Sequence, residues 1–326
     1  MRKNMSAQKL LKPQELPKRP YGPKEPLEAK GSSWSEQYPF EQNYFEMQHE
    51  GKPLYMNVVD EGPKNAPVIL FLHGNPTWSF IWRHAINALK KTHRCIAIDH
   101  IGCGFSDRPQ SYDYTLSQHA QNVHALLEYL EVKTFFLVMH DWGGMIGMKV
   151  ATDKPERVVG FSAMNTGAFM GPLPPSIASI KVPWFGKTAV LQFNAFVRVA
   201  LKRCIHKKER LTEAIKEAYT QPYNNPHDRL ATLRFVEDVP QSDAHPTASV
   251  VKSVDQKLHL FKEKPALLIW GEEDFCFSPV FRKGWQERFP KAITHTFDDA
   301  SHYIFEEYPD EVATLLQEFI RENHPS

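Results

Sequence analysis

The run Leu137-Val138-Met139-His140-Asp141-Trp142-Gly143-Gly144 constrains this chain most, because an apolar stretch stops at a carboxylate, and glycines and an amphipathic segment follow. The pattern predicts a strand, a sharp turn with Asp141 at its apex, and a helix. Such a turn lifts one side chain over the end of a parallel sheet, where the first free N–H groups of the helix point. Those donors favour an anion, so the carboxyl is expected to stay ionised. A serine at the apex would need a base before it could attack. A carboxylate needs none, which narrows the chemistry to attack on an electrophilic carbon.

Elsewhere the chain reads as a large α/β unit. Its 326 residues, 42% hydrophobic and 12% aromatic, suit one α/β domain carrying an insertion. With 39 Lys and Arg against 38 Asp and Glu, the net charge of +1 gives no reason to expect nucleic acid or an anionic membrane as partner. Cys95, Cys103, Cys204 and Cys276 are far apart and show no C-x-x-C spacing, so they are expected as reduced thiols in a cytoplasmic protein. No stretch has the apolar length of a membrane span, and the N-terminus lacks the apolar centre of a secretory signal. Neither a cofactor nor a metal is expected, and the ligand is a small hydrophobic molecule.

Residues 1–37, rich in Lys, Pro and Glu, read as a flexible tail. Phe45 to Gln48 and Leu54 to Val58 read as a hairpin, Val68 to Leu72 and Cys95 to Ile98 as buried strands. Thr115 and Gln118 have capping-box spacing ahead of a helix whose Val123, Leu126, Leu127 and Leu130 share a face. Phe135 to Met139, the helix after Asp141, and Val158 to Ala163 continue an alternation that implies a mostly parallel sheet with helices on both faces. The rhythm then changes. Helical patterns at Val190 to Cys204, Leu211 to Tyr219 and Arg229 to Glu237 mark an inserted cap over residues 168–245, between core segments 38–167 and 246–326. Its apolar content (Trp184, Phe185, Leu191, Phe193, Phe196, Val197, Phe235) fits either the roof of a hydrophobic cavity or simple packing on the core. Ala266 to Trp270 and Ala292 to Phe297 complete the strands, Ser278-Pro279 starts a helix, and Pro309 opens the last one.

Asp141, Asp274 and His302 each follow the C-terminal end of a predicted strand. Parallel strands bring those ends to one sheet edge, where open α/β sheets bind ligands. Taken singly each has a bland reading: a solvated turn histidine, a helix-capping aspartate, or an acid whose place Glu272, Glu273 or Asp299 fills. Together, in the order nucleophile, acid, histidine, they are expected to be catalytic, Asp274 fixing the imidazole tautomer beside Asp141. Asn75 and Trp142 border the same edge. Their side-chain N–H groups suit a departing anion and their backbone N–H groups an oxyanion. Tyr219 and Tyr223 of the cap are weaker candidates for polarising a leaving oxygen.

The segments His73-Gly-Asn-Pro-Thr-Trp-Ser-Phe80, Asp99-His-Ile-Gly-Cys-Gly104, His140-Asp-Trp-Gly-Gly144 and Trp270-Gly-Glu-Glu-Asp274 resemble the haloalkane dehalogenase superfamily of α/β-hydrolases. The resemblance implies Asp141 as nucleophile, His302 as base, Asp274 as acid and Asn75 with Trp142 as the leaving-group pair. The strand ending at Asn165 carries no carboxylate, which disfavours the branch that places its acid there. Asn165 to Phe169, Phe193 to Phe196, Gln221 to Arg229, Phe235 to Pro240 and Asp274 to Phe277 look like the β-lactone decarboxylases of bacterial olefin biosynthesis. That likeness implies a cis-3,4-dialkyl-β-lactone substrate, a cis-alkene and carbon dioxide as products, and the pathway's β-lactone synthetase and reductase as partners. Haloalkane hydrolysis is the alternative. Epoxide hydrolysis ranks lower, since Asn75 stands where that family has an aromatic residue, and a non-catalytic receptor is disfavoured by the intact Asp141, Asp274 and His302 set.

Overall fold

Short runs dense in Val, Ile, Leu and Phe can bury side chains on both faces, the pattern of inner parallel strands. In the computed structural model, which describes residues 8–16, 19–24 and 31–324, such runs build one sheet. Its strands are β1 (Leu10–Leu11), β2 (Asn43–His49), β3 (Lys52–Glu61), β4 (Val68–Leu72), β5 (Arg94–Ile98), β6 (Phe135–Asp141), β7 (Val158–Thr166), β8 (Ala266–Gly271) and β9 (Ile293–Phe297). They lie in the order β1-β2-β3-β5-β4-β6-β7-β8-β9, antiparallel from β1 to β5 and parallel from β5 to β9. Side chains alternate between faces. Leu70, Leu72, Leu137 and Met139 enter one core, and Ile69, Phe71, Phe136 and Val138 the other.

Helices α1 (Arg83–Leu89), α2 (Leu116–Tyr129) and α3 (Trp142–Asp153) provide crossovers. The Thr115 hydroxyl accepts from the Gln118 N–H at 3.3 Å, but the Gln118 amide turns to Asn122, so only half of the expected capping box forms. A long insertion separates β7 from β8. It holds short helical turns and helices at Ala195–Arg203, Glu213–Thr220 and Leu230–Glu237, and Ala248–Lys257 then returns to pack on α3. The helix expected over 190–204 is broken at Phe193–Asn194, where Asn194 takes φ 51° and donates to the Tyr223 carbonyl at 3.2 Å. Among the described residues no helix is long and apolar enough to cross a membrane.

The segment expected as a tail is partly ordered; residues 1–7, 17–18 and 25–30 lie outside the described residues. β1 pairs with β2, Arg19 donates to Asp107 at 2.8 Å, and Trp34, 1% exposed, packs edge-on against Trp78. A polar average composition conceals these anchors: one paired dipeptide, one arginine on a buried carboxylate and one indole in the core order a segment that lacks a core of its own.

Candidate active site

At the end of β6 the chain reverses on Asp141, which holds φ 51° and ψ −127°, costly for a residue with a Cβ. The turn is over-determined. Thr166 at the end of β7 donates its hydroxyl to the Asp141 carbonyl, and the Asn75 N–H, after β4, donates to Asp141 Oδ1 at 2.6 Å. Close approach explains two glycines. A Cβ on Gly74 would lie 2.0 Å from Asp141 Oδ1, and one on Gly143 would lie 2.0 Å from the Leu72 carbonyl oxygen.

The three strand ends meet as expected. His302 Nε2 lies 3.5 Å from Asp141 Oδ2, and Nδ1 lies 2.7 Å from Asp274 Oδ2. The competing acids are elsewhere: Glu272 pairs with Arg282 at 2.6 Å, and Asp299 is an exposed partner of Lys207. Burial pushes the Asp141 carboxyl up, but the neighbouring His302 ring and the Trp142 N–H outweigh it and hold the acid below the usual carboxylate range. Burial alone would lower the His302 pKa; Asp274 first, then Asp141, reverses that and carries it to about 10. At neutral pH the ring is therefore an imidazolium between two carboxylates. Buried His140, pushed well below the usual range, stays neutral and donates from Nε2 to the His302 carbonyl at 2.9 Å.

Asn75, Asp141, Trp142 and His302 face a cavity of about 360 Å³, whereas Asp274 sits behind the histidine. The walls are mainly apolar: Met145, Phe169, Ile177, Phe185, Phe196 and Phe281 contribute. Asn75 differs from expectation in one respect. Its Nδ2 already donates to the Thr232 carbonyl of the cap at 3.0 Å, so only its second amide hydrogen remains for a ligand. The Trp142 ring is half-buried against Phe235 of the cap, 5.5 Å between centroids. Of the cap side chains expected as a roof, Phe185 and Phe196 line the cavity, Phe235 supports Trp142, and Trp184 and Phe193 project into solvent. Tyr219 and Tyr223 do not reach the site. Both are buried away from the cavity, and the Tyr219 hydroxyl donates to Glu306 at 2.6 Å, a partner that no sequence spacing signals.

One supporting residue escaped the sequence reading. Asn165, at φ 38° near the end of β7, donates from Nδ2 to Asp274 Oδ2 at 2.9 Å and accepts from the Gly271 N–H at 2.9 Å. Together with the Cys276 N–H, 2.6 Å from Oδ1, it fixes the carboxylate that orients the histidine. The available signal was an amide closing a strand that is otherwise almost wholly apolar. The assembly presents an anchored carboxylate, with Oδ2 beside the imidazolium, at the polar end of an oily chamber, with N–H donors for a leaving anion. Chemically, a carboxylate in such a setting can displace a leaving group at carbon and form an aspartyl ester. Among the described residues no cluster of His, Cys, Asp or Glu could hold a metal ion.

Residues 67–309 match the model of the alpha/beta hydrolase fold. The chain is 40% identical over 291 residues to a cis-3-alkyl-4-alkyloxetan-2-one decarboxylase of Shewanella oneidensis, an alignment covering 87% of this chain and 89% of that one. It is 35% identical to the decarboxylase of the same name from Xanthomonas campestris pv. campestris, covering 83% and 93%. The crystal structure of a putative ancestral haloalkane dehalogenase superposes with a TM-score of 0.75 at 27% identity, covering 86% of this chain and 99% of that one.

Proposed function

The chain belongs to the α/β-hydrolase fold family, and from that premise we propose that it decarboxylates cis-3,4-dialkyl-β-lactones to cis-alkenes. One observation carries the chemical part of this reading: Asp141 Oδ1 is tied to the Asn75 N–H at 2.6 Å, and Oδ2 stands 3.5 Å from His302 at the edge of the apolar cavity. Oδ2 attacks C4 of the lactone with inversion, the C4–O bond of the ring breaks, and the freed carboxylate on C3 is received by Trp142 Nε1 and the second Asn75 amide hydrogen. The C3–carboxylate bond then breaks anti to the new ester bond. Its electron pair forms the alkene, carbon dioxide leaves, and Asp141 is returned as carboxylate without any net proton transfer. Inversion followed by anti loss is net syn elimination, so a cis-lactone yields a cis-alkene.

In the free enzyme the His302 charge, held between Asp274 and Asp141, keeps Oδ2 oriented for attack. Once Asp141 is esterified one of those two supporting charges is gone, so elimination rests on the carboxylate freed on C3. Haloalkane hydrolysis, the alternative, needs that same ring to accept a proton from water. It is not favoured, because the chain is 40% and 35% identical to the two decarboxylases and 31% to a haloalkane dehalogenase of Mycobacterium bovis. The β-lactone synthetase and the reductase of the same pathway are the proposed partners.

Gas chromatography of products from a synthetic cis-3,4-dialkyl-β-lactone tests the activity. A cis-alkene from the wild-type chain and none from Asp141→Ala is the expected result; hydroxy acid in place of alkene sinks the reading. Labelled oxygen in the lactone ring tests the route. Finding the label in the C–O link to the alkyl chain of a trapped intermediate would mean attack at the carbonyl instead of C4.

A further inference from the structure

The near-zero net charge of the whole chain conceals a segregation within it. Residues 158–208 contain seven Lys and Arg (Lys181, Lys187, Arg198, Lys202, Arg203, Lys207, Lys208) and no Asp or Glu. The same stretch exposes the bulkiest apolar side chains of the cap, with Trp184 81%, Phe185 50% and Val199 46% exposed. Phe185, Val199 and the adjacent Met170 also line the cavity, so residues that face both solvent and chamber mark its mouth. Trp184 precedes Phe185 in the turn Pro183–Lys187, and Lys202 lies one helical turn from Val199 in Ala195–Arg203. Lys187, Arg198 and Lys202 are exposed and form no ion pair with any described residue.

We infer that this rim seats on an anionic phospholipid surface, placing the mouth of the cavity against the bilayer. Exposed indole and phenyl rings at the headgroup level, ringed by cations, are the physical requirements for interfacial binding, and the missing acidic residues remove the repulsion that would oppose it. A protein partner is the competing occupant for an apolar patch. Charge decides between them: residues 158–208 carry seven cations and no acid, and the partly exposed Glu237, beside the facing wall of Val236, Val239 and Pro240, is neutralised by Arg234. This matches a uniformly anionic surface, whereas protein interfaces mix both signs at their rims. A mouth held in the headgroup layer would draw an apolar substrate from the membrane without a passage through water. Vesicle binding is read without substrate, so the inference stands or falls independently of the proposed reaction.

The test is co-sedimentation of the full chain with large unilamellar vesicles of phosphatidylcholine alone or mixed with phosphatidylglycerol, at low and high salt. Wild type is expected to bind the mixed vesicles, to leave them at high salt, and to bind phosphatidylcholine far less. Trp184→Ser, and separately Lys187→Glu with Lys202→Glu, should each weaken binding by at least about tenfold. Trp184 projects freely and neither lysine touches the cavity, so circular dichroism and turnover of a short, water-soluble lactone should be unchanged. Absence of binding to anionic vesicles overturns the inference. So does vesicle binding that these substitutions leave intact, or capture of a pathway enzyme through the same residues with no vesicle binding.

Discussion

At the scale of single residues, the site works by setting charges against burial. His302 is buried, which opposes its charge, yet Asp274 and Asp141 together keep it protonated up to about pH 10. Its folded-state pKa lies above the unfolded value of about 6.5. The stability it contributes is therefore fully present below the unfolded pKa and is lost as pH rises through about 10. Asp141 has the opposite sign: its depressed pKa contributes stability present above the ordinary carboxylate value and lost as pH falls through the lowered one. Denaturant titrations at neutral and strongly alkaline pH should show a loss that His302→Gln abolishes. Turnover should follow the same proton. We expect kcat/KM for the lactone to fall with an alkaline limb near pH 10, and Asp274→Asn, which removes the largest charge supporting the imidazolium, to move that limb toward neutrality. If the limb stays put in Asp274→Asn, the charged histidine is not what the reaction uses.

Elements matter because the turns between them set distances that no side chain can correct. The link between β4 and the elbow is the clearest case: Gly74 allows the Asn75 N–H to approach Asp141 to 2.6 Å, and a methyl group there would collide with the carboxylate. Gly74→Ala should reduce kcat by about 10² to 10³, the cost of losing one preorganised donor, with the circular dichroism spectrum unchanged. The segment Leu230–Glu237 acts on the same atoms from above. It supplies the Thr232 carbonyl to the Asn75 amide and the Phe235 ring to Trp142, so the cap helps to orient both side chains. Phe235→Ala should cost about 3–5 kcal/mol of stability, measurable by chemical denaturation, because the cavity it leaves cannot close fully.

Across the whole molecule, cap, core and N-terminal segment are joined by buried contacts between residues far apart in sequence. Arg83 and Glu306 form a bidentate pair at 2.6 and 2.7 Å, and Tyr219 of the cap donates to the same carboxylate at 2.6 Å. Glu306→Ala leaves a buried guanidinium without its counter-ion and a buried phenol without its acceptor, and should destabilise the fold by about 3–5 kcal/mol. Trp34 does the same for the N-terminal segment, packing on Trp78 and donating to Gln221 of the cap at 3.0 Å. Trp34→Ala should likewise lower the unfolding midpoint, by an amount no surface tail would produce.

The sequence by itself determined what depends on neighbours along the chain: which segments from β2 onward are strands, that those from β4 onward run parallel, and that Asp141, Asp274 and His302 stand at strand ends. Parallel pairing then requires those ends to share an edge, which is why the meeting of these three side chains was legible from spacing. Only the tertiary structure decided how the side chains are used. Asn165 became the support of Asp274, Asn75 divided its amide between ligand and cap, and Tyr219 turned from the cavity to Glu306. The physical reason is that a hydrogen-bond partner is chosen by the rotation and height of whole elements, sums over many distant contacts, whereas a strand and its end are written in the few residues that compose them.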